Sequence, residues 1–247
     1  MSDINPVPPP PPYPRRQPPP LRPSPEPLGT QPEDLEPITS PIAAVEAILR
    51  YPRRVMYQVR QPGVGPVLLR MIFVAAICSA TYGLVVGTFS GGPQLWAAPV
   101  KIFGGILITA LICLPSLYIF TCLSGSEARL PEICGLLTGL LLLTTILLIG
   151  FAPVAWLFSE STQSVPWMGA LHLIFWFIAT GFGIRFLDQG FSHSRARSNA
   201  GLYTWVIIFV LVAVQMTTAL RPIVGTADTF LPQEKQFFLA HWANCLQ

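Results

Sequence analysis

The chain has 247 residues, of which 51% are apolar and 11% charged, with a formal net charge of +3, whereas soluble globular chains carry about 25% charged residues. So small and dispersed a charge argues against nucleic acid as a partner, which calls for a basic stripe on a folded face. The charge is also local: seven of the fifteen Lys and Arg and six of the twelve Asp and Glu fall in residues 1–60. The remainder holds apolar runs long enough to cross a bilayer core of about 30 Å, so composition predicts an integral membrane protein.

Residues 1–40 hold most of the prolines and no apolar period. They are expected to form a disordered cytoplasmic tail with polyproline II character, because they bury too little surface to offset chain entropy. Within the tail, Pro10, Pro11 and Tyr13 fit a PPxY pattern, and Pro11, Pro14 and Arg16 fit a PxxPx(basic) pattern. Both matches are nearly unavoidable in a proline-rich run, so the tail is read first as a plain spacer, with docking of a cytoplasmic partner on these motifs as the alternative.

From Ser40 the pattern changes. Ser40 is suited to cap a helix and Pro41 to occupy its first turn, and Ile42, Val45, Ile48 and Leu49 recur at helical spacing. Pro52 restarts the pattern with Val55, Met56 and Val59. Residues 41–61 thus read as a basic amphipathic juxtamembrane segment, with Arg50, Arg53, Arg54 and Arg60 on an anionic membrane surface.

Five apolar segments follow near residues 66–89, 102–123, 133–158, 168–187 and 201–220. The fold class is therefore all-α, a bundle of about five transmembrane helices over residues 66–220. With no apolar run ahead of it, the first span is expected to be retained as a signal anchor. Trp96, Trp156, Trp167 and Trp205 lie close to expected boundaries, as interfacial residues do. Pro115 and Pro153 fall inside spans, where kinks are expected.

With the amino terminus in the cytoplasm, twelve Lys and Arg lie inside and three outside. This bias and five spans put the carboxyl terminus outside. Residues 221–247 then form an outer tail in which Leu231, Phe238 and Trp242 suit one face of an interfacial helix.

Small residues recur every four positions at Ala75, Ser79, Gly83 and Gly87, and again at Gly135 and Gly139. That spacing lets helix backbones approach closely in lipid. On the helical wheel, Val85 falls on the far side of the first span.

The catalytic inventory is short. His172 is the one ionisable group expected well inside a span, and its expected role is a neutral hydrogen bond to Gln215, Thr217 or Thr218 of the fifth span. A lone His without neighbouring ligands suggests no metal site. The five cysteines form no CxxC pair and suggest neither disulfides nor zinc. No cofactor is expected.

The stretch AILRYPRRVMYQVRQPGVGPVLLRMIFVAAICSATYGLVVG, residues 47–87, holds Pro52 four positions before Met56 and then a first span rich in small residues. It resembles the opening of bacterial Yip-like proteins, and the five-span layout resembles that family as a whole. The resemblance implies a cytoplasmic amino terminus and a bacterial inner membrane. The segments LPSLYIF (residues 114–120) and LRPIVG (residues 220–225) are similar to segments of other bacterial membrane proteins.

The leading functional expectation is a non-enzymatic scaffold, tether or subunit of a membrane assembly. Its partners are lipid, other membrane proteins or a second copy, and a cytoplasmic protein on the tail. The alternative is transport or permeation of a small molecule or ion, suggested by spans half-broken at Pro115 and Pro153 and by glycines around Gly104. A third is an intramembrane enzyme centred on His172.

Overall fold

The computed structural model describes residues 26–162, 164–194 and 200–221. Pro10, Pro11, Tyr13 and the expected interfacial helix beyond Arg221 lie outside them. Within the described residues the chain is all-helical. Three short helices, α1 (Pro32–Leu35), α2 (Pro41–Arg50) and α3 (Pro52–Gln58), precede five long ones: α4 (Gly65–Ser90), α5 (Gln94–Leu123), α6 (Leu130–Ser161), α7 (Val165–Ser192) and α8 (Ala200–Ala219). All five long helices are apolar and long enough to span a membrane, which makes this a multi-pass membrane protein. At 1.5 Å per residue the 20 residues of α8 match a bilayer core, and the 32 of α6 extend well beyond it.

The spans meet as a row. α4 packs between α5 and α6, α7 packs on α6, and α8 packs on α5, which also touches α6. The starts of α4, α6 and α8 and the ends of α5 and α7 share one end, where α1–α3 form a cap. At the far end, Gly91 (φ +65°) and Gly92 (φ +52°) turn the chain from α4 into α5 in a conformation L side chains rarely adopt. Trp96, Trp156 and Trp167 are exposed at that far end. Trp205 differs from the expectation: it is fully buried, donates from Nε1 to the Cys113 carbonyl at 2.9 Å and stacks on Phe209. It lies on the second turn of α8, on the side facing α5, so packing rather than depth sets its role.

The small-residue spacing has found its partners. A Cβ on Gly83 would lie 2.5 Å from the Pro99 Cα, and one on Gly87 would lie 2.6 Å from the Gln94 carbonyl oxygen. Ala75 and Ser79 continue this buried face. Gly135 and Gly139 serve two different contacts, the first with Val59 after α3 and the second with Phe186 of α7. The α6–α7 contact is reciprocal: Gly183 receives Thr144 and Leu140, and Gly190 receives Leu136. Val85 is half-buried against the far-end core, because α4 has a neighbour on each side; the exposed flank carries Leu84 instead.

Two further expectations are corrected. α5 is helical through Pro99 and Pro115, and α6 through Pro153, so the spans are not half-broken. Residues 26–40 are packed against the cap: Asp34 and Ile38 are buried at 1% and 2% exposure. Those two positions supply a charge for arginine and an apolar anchor for the core, which composition alone hides.

Since the Gly83 contact is with backbone that no rotamer change can move, Gly83→Ala forces α4 and α5 apart. The expected loss is about 1–3 kcal/mol by analogy with overpacked cores. Leu84→Ile, one position on and 48% exposed, is expected to stay within about 0.5 kcal/mol. Thermal unfolding of both variants in mild detergent measures the difference.

Candidate functional site

The cap is built from arginines and backbone carbonyls. Residues 26–38 run largely outside regular structure, so their carbonyls need donors from elsewhere. Arg53 donates to the Glu26 and Pro27 carbonyls at 3.3 and 2.9 Å and pairs with Asp34 at 3.2 Å. Asp34 also accepts the Gly29 N–H at 2.9 Å. Arg54, 3% exposed, donates to the Glu36 and Pro37 carbonyls at 2.8 and 3.0 Å and pairs with the Glu36 carboxylate at 2.8 Å. Arg70, on the second turn of α4, donates to the Ile38 carbonyl at 2.9 Å. The planar five-donor guanidinium suits such divided work.

Arg60 ties this cap to the bundle. Its Nε donates to Glu132 Oε1 at 2.6 Å, on the first turn of α6. Its two Nη atoms donate to the His193 carbonyl (3.3 Å), the Gly190 carbonyl (3.2 Å) and the Ser194 hydroxyl (2.9 Å) at the end of α7. Carbonyls at a helix carboxyl end lack intrahelical donors and favour a cation. One side chain thereby joins the cap, α6 and α7.

Of the four arginines expected on a membrane surface, Arg53, Arg54 and Arg60 are thus turned inward. Only Arg50 is exposed, paired with Glu46 at 3.6 Å one turn earlier. The apolar face of α2 is also rotated from the expectation. Ala44, Ala47 and Ile48 are buried, while Ile42 and Leu49 point outward, because small side chains allow the closer approach.

Inside the spans, His172 shares a hydrogen bond of 2.7 Å between Nδ1 and the Tyr82 hydroxyl. The rings meet edge to face, with centroids 5.7 Å apart. With Tyr82 as donor, the imidazole proton sits on Nε2, which is buried without a partner among the described residues. The bond to a neighbouring span was expected, but to a different one: α7 and α8 flank opposite ends of the row, so His172 reaches α4 and not Gln215. Phe151 and Phe175 stack at 4.6 Å in the same far-end core. A neutral pair in this apolar setting holds helices together and orients an imidazole.

Lys101 is a further ionisable side chain within a span, 2% exposed on the second turn of α5. Reading the second span from residue 102 leaves it in a loop; the helix in fact begins at Gln94. The signal available was the amphiphilic QLWAAPVK run, whose Trp and Lys suit a helix emerging at an interface. The described cysteines, Cys78, Cys113, Cys122 and Cys134, are free thiols.

The chain matches no protein-family model, no curated protein and no solved structure.

Two outcomes follow from these geometries. Arg60→Lys keeps the charge but cannot reach Glu132 and three acceptors at the end of α7 together. It is expected to lose about 1.5–3 kcal/mol, the scale of hydrogen bonds to charged groups, and to speed limited proteolysis within residues 26–60. For the intramembrane pair, a double-mutant cycle with Tyr82→Phe and His172→Leu, read by unfolding in detergent, is expected to give a coupling of about 0.6–1.7 kcal/mol. His172→Gln, which retains hydrogen bonding without titration, should preserve most of the stability.

Proposed function

We propose that this chain is a non-catalytic membrane tether or scaffold, in which a five-span bundle presents the proline-rich residues 1–25 from a fixed point on one membrane face. The observation that carries this reading is the arginine-bound segment 26–38. Held by Arg53, Arg54 and Arg70, and through Arg60 to two spans, it gives the tail a defined exit at Glu26. A recognition segment on a rigid mount gains effective concentration for a partner in the same membrane assembly.

Charge supports the cap facing the cytoplasm. Arg50, Arg53, Arg54, Arg60, Arg70, Arg129 and Arg185 lie toward the cap end, and Lys101 and Arg221 toward the far end. Under the positive-inside rule the amino terminus is cytoplasmic and the carboxyl terminus outside. The likeness of residues 47–87 to Yip-like proteins agrees with this orientation and suits a bacterial inner membrane. A second reading, transport or permeation, is favoured by Lys101 and His172 within the spans, since intramembrane ionisable groups often mark ion paths.

Crosslinking in the native membrane, with and without residues 1–25, separates these readings. The tether requires that the truncated chain insert at normal abundance yet lose a set of crosslinked cytoplasmic proteins. An unchanged set, together with solute flux in liposomes, would favour transport. Truncation to residue 40 is expected to lower thermal stability as well, because Asp34, Glu36 and Ile38 leave with it. An impermeant thiol reagent reaching Cys245 from outside intact cells is the expected topological result.

A further inference from the structure

The cap helix α2 has two apolar faces of different character. Ala44, Ala47 and Ile48, none more than 2% exposed, turn toward α4 and α6, the long helices against which α2 packs. On the opposite side Ile42 is 80% exposed and Leu49 48% exposed. Seven residues apart, they fall within about 20° of one another on the helical wheel. Glu46 and Arg50 run beside them, paired with each other at 3.6 Å. The outward face is therefore amphipathic, with an apolar edge and a charged edge.

Its depth follows from Arg70. That residue is five positions inside α4, about 7.5 Å along the helix from Gly65, and donates to the carbonyl of Ile38, two residues ahead of the Ser40 cap. Leu69 and Phe73, which flank Arg70 on the α4 surface, are 69% and 53% exposed and belong to the lipid-facing belt of the span. The chain just ahead of α2 is thus within one arginine's reach of the first lipid-facing turns of α4, and α2 itself packs against α4. Ile42 and Leu49 continue that belt outward along the interface. An apolar edge with a charged flank at this depth matches the headgroup–acyl boundary.

We propose that the Ile42–Leu49 edge of α2 inserts into the leaflet on the cap side, with Arg50 at headgroup level, so that lipid as well as protein holds the cap. The arginines read as membrane-binding in the sequence instead bind the chain itself, and two aliphatic side chains take the lipid contact. The insertion does not depend on what residues 1–25 bind. It means that the orientation of the cap responds to the bilayer surface.

The test uses the full chain, carrying the photoreactive amino acid benzoylphenylalanine at Ile42, Leu49, Leu69 or Glu33. Each variant is reconstituted in vesicles of phosphatidylethanolamine and phosphatidylglycerol. All four sites are exposed, so the probe fits without repacking. After irradiation, intact-mass spectrometry is expected to find phospholipid adducts at Ile42 and Leu49, as at the span position Leu69, and none at Glu33 on α1. Adducts at Leu69 without any at Ile42 and Leu49 would overturn the proposal. Crosslinks from Ile42 and Leu49 to a second copy of the chain in place of lipid would overturn it too, by making that edge a protein interface.

Discussion

An apolar side chain gains nothing by leaving lipid tails for a neighbouring helix, so spans associate only where backbones approach closely enough for dispersion and hydrogen bonds to favour contact. The arrangement of this bundle depends on that constraint. On α4, Gly83 and Gly87 admit the backbone of α5 at Pro99 and Gln94. Between α6 and α7 the small residues alternate sides, Gly139 taking Phe186 while Gly183 and Gly190 take Leu140 and Leu136. Gly201 does the same for α8, against Phe120 of α5 and Ser124 just after it. These contacts produce a row with α4 inside it, and the row decides which polar groups can meet. His172 pairs with Tyr82 because α6 brings α7 within reach of α4.

The cap answers a different problem. A chain segment without regular structure carries carbonyls that must find donors, and a short helix such as α1 has little stability of its own. Arg53 and Arg54 supply those donors while their charges are met by Asp34 and Glu36. Arg60 then carries the assembly onto α6 and α7, placing its charge where the carboxyl end of α7 is already electronegative. Such pairs contribute less net energy than their short distances suggest, since both charges are desolvated. Their geometric demand is strict, however, and that gives the amino-terminal segment one position relative to the bundle.

Rigid mounting and an exposed aliphatic edge combine in α2. Its small-residue face is committed to protein, which leaves its larger aliphatic residues outward at the level where α4 meets lipid. The cap is thereby held in register with the five-helix body through Arg60 and Arg70. The far end differs in kind, with exposed Trp96, Trp156 and Trp167 and a core that encloses Tyr82 and Phe175. The two ends of the molecule therefore differ in what they expose, an aliphatic edge on α2 at one and aromatic rings at the other.

Much of this is legible in the chain alone, because some properties are local. Five apolar runs can only become five long helices where water cannot satisfy the backbone, and Ser40, Pro41 and Pro52 mark their helix starts through their own geometry. The fourfold spacing of Ala75, Ser79, Gly83 and Gly87 likewise announces a close contact on α4, since a helix carries that face wherever it goes. Which helix fills the groove is not local. The choice of Pro99 for Gly83, of Tyr82 rather than Gln215 for His172, and of α5 rather than the interface for Trp205 depends on the order of helices in the row. The arginines show the same division: their number and their clustering ahead of the first span follow from sequence, but a guanidinium exposed to lipid and one saturated by carbonyls have identical neighbours in the chain. Only the folded backbone, by bringing residues 26–38 across α3 and the end of α7 beside Glu132, decides that Arg53, Arg54 and Arg60 face inward and that Ile42 and Leu49 face out.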